Sequence, residues 1–169
     1  DYRAEKSGDD LVLSLHAPTQ WLTEKVLKDA VEKSGAKKGT VVVMEVETGN
    51  VLAVAGVVRD SLSRKVENAN YLMAYVDTYE PGSVNKPFTV AAALETNRIR
   101  ADQVFDVPQT YLFSDKLFRE PYFSSTGSLS VPEILAKSSN IGTIQIAEAL
   151  GRDLLHQYLS KFGFGSYSG

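Results

Sequence analysis

Apolar residues along this chain recur with two different periods, and the switches between them mark the elements. From Pro18 to Ser34, Leu22, Val26 and Ala30 return every fourth residue, Leu27 and Val31 widen the stripe, and Lys, Glu and Asp fill the opposite side. That spacing predicts an amphipathic helix. Pro18 suits its first turn and Gly35 its end. Thr40–Val46 and Val51–Val57 are β-branched runs separated by Glu47-Thr48-Gly49-Asn50, which predicts a hairpin. Leu11–Leu15 reads as a further short strand. Helical spacing returns from Ser83 to about Asn97, with Phe88, Ala91, Ala92 and Leu94 apolar. Ser130-Val131-Pro132-Glu133 has the form of a capping box and opens another helix. This helix reaches Lys137, breaks at Ser138-Ser139-Asn140, resumes from about Ile141 to Leu150, and is followed by a last helix over about Arg152–Phe162 and a turn-like tail over 163–169.

The remaining stretches are less regular. Residues 1–10 are polar and read as a linker from a missing N-terminal region; Arg59–Asn70 reads as a loop, and Tyr79–Gly82 as a turn. Asp106–Ser128 is long and irregular and carries Tyr111, Phe113, Phe118, Tyr122 and Phe123. It reads equally well as a surface loop pinned by its aromatics or as the rim of a substrate cleft. No internal repeat is visible. The order of elements predicts an α+β fold with helices packed on an antiparallel sheet.

Composition narrows the function classes. With 169 residues, 43% of them hydrophobic, the chain can build one ordinary core. A formal net charge of -3 argues against a nucleic-acid partner, which requires a basic face. Cysteine is absent, so disulfides and a cysteine nucleophile are both excluded. No apolar run is long enough to span a membrane, and no signal-peptide pattern is present.

Two short words carry the candidate chemistry. In Ser83-Val84-Asn85-Lys86 the serine and lysine are three apart on a helix, so an amine stands beside a hydroxyl. A serine needs a base to become a nucleophile, and a lysine can be that base once desolvation lowers its pKa. The first helical turn, with its free N–H groups, also favours developing negative charge. Pro87 cannot donate to the carbonyl of residue 83, which predicts an irregular or 3₁₀-like first turn. The second word, Ser138-Ser139-Asn140, offers a hydroxyl that could relay a proton and an amide that could hold a peptide-like substrate. Taken singly, Ser83 could equally be a helix cap and Asn140 a cap or turn former. A second S-x-x-K, Ser34-Gly35-Ala36-Lys37, lies at a helix end and reads as a chance match.

The text around these words resembles class B penicillin-binding proteins, the monofunctional D,D-transpeptidases of bacterial elongation and division. Glu80–Glu95 resembles their nucleophile segment, Lys137–Gly142 their second motif, and Gly39–Ala53 the hairpin that opens their transpeptidase domain. The resemblance covers roughly residues 8–165 and assigns residues 11–169 to the N-terminal portion of such a domain, in the fold shared with serine β-lactamases. It implies Ser83 as the acylated nucleophile, Lys86 as its base, Ser138 as a proton relay and Asn140 as a substrate contact. It implies the D-Ala-D-Ala stem peptide of peptidoglycan as substrate, β-lactams as acylating mimics, no metal or organic cofactor, and cell-wall synthesis proteins as partners. It also places the parent protein on the extracytoplasmic face of the bacterial membrane, held by an N-terminal transmembrane helix absent from these residues.

Two departures stand out. His16 occupies a position where many relatives carry an acidic residue. More consequentially, the third family motif, a K-[ST]-G strand, does not follow Ser138-Ser139-Asn140; Lys33-Ser34-Gly35 has the letters but closes the first predicted helix, upstream of Ser83, and Lys37-Lys38-Gly39-Thr40 has them in the wrong order and place. The 169 residues are therefore expected to be a truncated, inactive piece of a transpeptidase, with an exposed sheet edge that favours self-association. The alternatives are a β-lactam hydrolase or sensor of the same superfamily, or a non-catalytic binding module on this scaffold.

Overall fold

A computed structural model describes residues 8–167 and divides the chain after Tyr79 into two compact units. Most of the expected linker, residues 1–7, lies outside the described residues, while residues 8–10 are exposed and irregular.

In the first unit one helix packs on a three-stranded antiparallel sheet. Helix α1 runs Ala17–Ser34, with proline in its first turn and Gly35 closing it in the left-handed conformation (φ 69°). Strands β1 (Lys38–Met44), β2 (Val51–Arg59) and β3 (Val66–Asn68) are ordered β1-β2-β3, with a bulge at Val43/Met44. The predicted hairpin is present, two residues earlier on its first strand. The side-chain amide of Gln20 on α1 mimics a strand: it accepts from Val54 N at 2.9 Å and donates to Val54 O at 2.9 Å. Leu27 and Val31 enter the small core with Ala55, Val57 and Val66. Gly39 lets α1 come close, since a Cβ there would lie 2.8 Å from Val31 Cγ2.

Three expectations for this unit need correction. The buried face of α1 is Leu27 and Val31; Leu22 and Val26 are 54% and 57% exposed. A fourfold apolar repeat fixes a helix but not which of two adjacent apolar stripes meets the sheet. Leu11–Leu15 forms no strand: among the described residues its one hydrogen bond to β2 is Ser14 Oγ to Val51 O, with His16 N to Leu52 O just beyond it, too few for a ladder. The expected loop at Arg59–Asn70 contains the end of β2 and all of β3, and a four-residue helix α2 (Met73–Val76) follows it.

The second unit is mainly helical. A 3₁₀ turn (Gly82–Asn85) leads into α3 (Lys86–Glu95), as the missing N–H of Pro87 predicts. Strands β4 (Val104–Val107) and β7 (Gly127–Ser130) pair antiparallel, and β5 (Thr110–Phe113) and β6 (Lys116–Arg119) form a hairpin between them. About half of the expected irregular stretch is thus strand. Its hairpin turns at Ser114-Asp115, with Ser114 at φ 56°, a dipeptide that lacks the usual glycine signal. Helices α4 (Val131–Ala136), α5 (Asn140–Leu150) and α6 (Arg152–Lys161) follow, and the break between α4 and α5 falls where the sequence places it. Glu133 accepts from Ser130 N at 2.8 Å and from Ser130 Oγ at 2.7 Å at the start of α4. The core joins Val90, Ala92 and Ala93 of α3 to Ile134, Ile141, Ile146 and Leu150, with Val107 and Leu129 of the β4–β7 ladder. Phe88 is held edge-on by Phe162 and Phe164, at centroid distances of 4.9 and 5.1 Å.

Helices and antiparallel sheet are combined in the manner expected of an α+β fold. Among the described residues no helix is long and apolar enough to cross a membrane.

Candidate active site

The site is built where the 3₁₀ turn before α3 faces the break between α4 and α5. Gly82, at φ 61°, turns the chain into the 3₁₀ segment. Ser83 is exposed on that turn. It caps neither segment: Pro81 precedes the 3₁₀ turn, Asn85 precedes α3, and neither junction has a side-chain cap.

Lys86, half-buried one turn on, reaches across to the second word. Its Nζ donates to Ser138 O at 2.5 Å, to Ser138 Oγ at 3.1 Å and to Asn140 Oδ1 at 2.7 Å. An ammonium has three protons, and here each has an acceptor. No hydrogen bond joins Ser83 to Lys86 among the described residues; such contacts commonly tighten only when substrate is bound. Burial holds the Lys86 amine below the ordinary lysine value, and the negative charge of Glu120 works against that shift.

The break that supplies these acceptors is a Schellman motif made without glycine. Ser138 N donates to Leu135 O at 3.0 Å and Ser139 N to Ile134 O at 2.9 Å, while Ser138 itself sits at φ 53°. A serine in the left-handed region is strained by about 1 kcal/mol or more. That conformation brings the Ser138 carbonyl and hydroxyl to the same amine. Helix α5 then starts with Ser139 as its cap, accepting from Gly142 N at 2.9 Å. Asn140 is the first helical residue rather than the cap, so its amide is free for Lys86. Gly142 is required by packing: a Cβ there would lie 2.7 Å from Ile134 Cγ1 and 2.9 Å from Ser139 Oγ.

Two residues of the site were not singled out from sequence. Ser139 is fully buried and donates to Glu120 Oε1 at 2.8 Å, and the same oxygen accepts from Ile141 N at 2.5 Å. Glu120, directly after β6, is only 3% exposed. Its only sequence signal is an acidic residue amid aromatics, which does not distinguish a buried carboxylate from a solvated one. Phe118, two residues earlier, lines an open cavity of about 360 Å³ with Lys86, Asn140, Thr143, Ile144 and Ala147. Of the five aromatics, Tyr111 and Phe118 pack on the core, whereas Tyr122 and Phe123 are 68% and 85% exposed. Phe118 therefore favours the cleft-rim reading for its part of the stretch.

Chemically, the arrangement suits a lysine that works uncharged. A neutral amine has two protons and one lone pair. The carbonyl oxygens of Ser138 and Asn140 accept the two protons, leaving the lone pair for a hydroxyl, which can give as well as take a proton. Lys38, of the misordered Lys37-Lys38-Gly39-Thr40, is engaged elsewhere, pairing with Asp77 at 2.5 Å. Among the described residues no group of three or more His, Asp or Glu is gathered to hold a metal ion.

Residues 39–169 match the family described as the penicillin binding protein transpeptidase domain. The chain is 33% identical over 168 residues to the probable peptidoglycan D,D-transpeptidase PenA of Neisseria meningitidis, covering 96% of this chain and 28% of that protein. It is 28% identical to penicillin-binding protein PbpB of Mycolicibacterium smegmatis, covering 94% of this chain and 25% of the relative. Among solved structures, penicillin-binding protein 3 of Mycobacterium tuberculosis in complex with aztreonam superposes with a TM-score of 0.82 at 27% identity, over 93% of this chain and 36% of that one. The apo transpeptidase domain of penicillin-binding protein 3 from Burkholderia pseudomallei gives a TM-score of 0.76 at 30% identity, over 90% and 42%. The chain thus spans little more than a quarter of the curated relatives' length.

Proposed function

The chain belongs to the penicillin-binding protein transpeptidase family, and from that premise we propose that it supplies the nucleophile half of a peptidoglycan D,D-transpeptidase site. The observation that carries this reading is the convergence of Ser138 O, Ser138 Oγ and Asn140 Oδ1 on Lys86, one turn after Ser83. Neutral Lys86 takes the Ser83 proton as Oγ attacks the carbonyl carbon of the D-Ala–D-Ala peptide bond. The tetrahedral intermediate collapses, its peptide C–N bond breaking as Ser138 passes a proton to the leaving amine and is reprotonated from Lys86. Attack of a second stem peptide's amine on the acyl ester releases Ser83 and forms the cross-link. A β-lactam follows the first half of this path, but its leaving nitrogen stays tethered, so the acyl ester persists. Asn140 orients the substrate amide.

No K-[ST]-G strand follows Asn140 in the 169 residues, and Lys33-Ser34-Gly35 is the end of α1; such a strand would complete the oxyanion hole, and losing one oxyanion donor costs about 100-fold or more in rate. We therefore propose that these residues alone are nearly inactive and that the complete protein works outside the bacterial cytoplasmic membrane, where its substrate lies, alongside other cell-wall synthesis proteins. Strand β1 is the outer strand of its sheet, with Val42 and Met44 42% and 55% exposed, which supports self-association of the isolated chain. Incubating labelled penicillin with the full-length protein should leave a stable adduct on Ser83. The isolated 169 residues should take up little and should dimerise in light scattering. Rapid release of opened β-lactam by the full-length protein would make it a hydrolase instead.

A further inference from the structure

We infer that Glu120 is a positioning residue for this acyl transfer: its buried carboxylate fixes the Ser138–Asn140 turn on which Lys86 rests. The inference depends on the functional reading above for its consequence, though not for its geometry. One oxygen, Oε1, receives both the Ser139 hydroxyl at 2.8 Å and the Ile141 N–H at 2.5 Å. The other, Oε2, is buried without a partner among the described residues. A carboxylate with one oxygen unpartnered is expensive to bury. Capping alone does not require it, since Ser139 already takes the Gly142 N–H. The Glu120 bonds instead fall on the two residues that bracket Asn140, and Ser139 is also the neighbour that holds Ser138 in its strained conformation. Each group that Lys86 touches is thus one residue from a Glu120 contact.

Glu120 also acts through its charge. Among the other charged or titratable residues on elements packed against α3, Glu133 is taken by Ser130, Glu148 by Tyr111, Lys161 lies over the Tyr158 ring, and Arg152, Asp153 and His156 of α6 are exposed. Arg119 and Lys137, beside the carboxylate and the turn, are exposed. The negative charge of Glu120 favours the protonated form of Lys86, against the effect of burial. Its position therefore sets both where the amine sits and how readily it gives up its proton.

The test compares Glu120→Gln, Glu120→Asp and Glu120→Ala in the full-length protein, measuring penicillin acylation rate against pH, thermal midpoint, and Lys86 titration by NMR of isotope-labelled lysine. Glu120→Gln keeps the shape and one acceptor oxygen but removes the charge. It should move the alkaline rise in rate, and the Lys86 titration, to lower pH. Glu120→Asp keeps the charge one methylene short, so the midpoint should stay while the rate falls. Glu120→Ala should lose about 100-fold in rate, the scale expected when reacting groups shift by about 1 Å. A Glu120→Gln protein with unchanged rate and midpoint would overturn the inference. So would losses in all three variants that track thermal midpoint alone with an unmoved Lys86 titration. Should the wild-type protein itself fail to acylate, the functional reading falls, and the Lys86 titration in Glu120→Gln still decides the role of Glu120 by moving or staying put.

Discussion

The chain contains the same four-residue pattern twice, and the structure gives the two copies opposite surroundings. Ser34-Gly35-Ala36-Lys37 straddles the end of α1: Gly35 is left-handed, and the Ser34 hydroxyl is spent on local turn contacts with Val31 O and Ala36 N. Lys37 is exposed and continues into the linker before β1. Ser83-Val84-Asn85-Lys86 enters a helix instead of leaving one. Its lysine is turned inward onto three oxygens from a segment more than fifty residues away in sequence. The pattern therefore says little until its partner is in place. A helix start leaves the serine near unpaired N–H groups, and a strained turn nearby collects acceptors for the amine. A helix end provides neither.

Substitutions in the full-length protein can break this contrast. The largest effect belongs to the nucleophile pair: Ser83→Ala should abolish the stable penicillin adduct, whereas Ser34→Ala should leave it unchanged by gel fluorography. The lysine pair comes next. Lys86→Ala should reduce the acylation rate by about 100- to 10,000-fold, the usual worth of a positioned base, and Lys37→Ala should not alter it. The wild-type rate should climb with pH as Lys86 loses its proton. That rise should centre below the ordinary lysine value near 10.4, because burial holds the amine down. A pH-independent rate would contradict Lys86 as the base.

Smaller effects test the frames around the two words. Gly142→Ala forces a Cβ to within 2.7 Å of the fully buried Ile134 and should cost about 1–3 kcal/mol in chemical denaturation. Gly35→Ala meets nothing within 4 Å, so only its left-handed backbone opposes it, at about 1 kcal/mol. Ser138→Gly should separate stability from function. It relieves the strain at φ 53°, raising stability by up to about 1 kcal/mol, yet it removes the hydroxyl beside Lys86 and should slow acylation. A variant that gains both stability and rate would argue against a relay at Ser138.

Much of the frame was legible in the residues. Pro87 predicts the 3₁₀ turn before α3, and the break at Ser138-Ser139-Asn140 predicts the end of α4, because both follow from local backbone chemistry. The hairpin of β1 and β2 was legible for the same reason. What was hidden depends on distant partners. Leu22 and Leu27 are equally apolar, and only the position of the sheet decides that Leu27 is buried. The β5–β6 hairpin turns through Ser114 without the glycine that usually marks such a turn. Glu120 is an ordinary acidic residue until β6 delivers it beneath Ser139. The candidate site was readable as words, but the carboxylate that holds the second word in place was not.

The most direct measurement is peptide mapping by mass spectrometry after the full-length protein is incubated with labelled penicillin. The label should reside on the peptide carrying Ser83 and be absent from the peptide carrying Ser34. Label on any other residue, or no label at all, would contradict the assignment of Ser83 and Lys86 as the acylating pair.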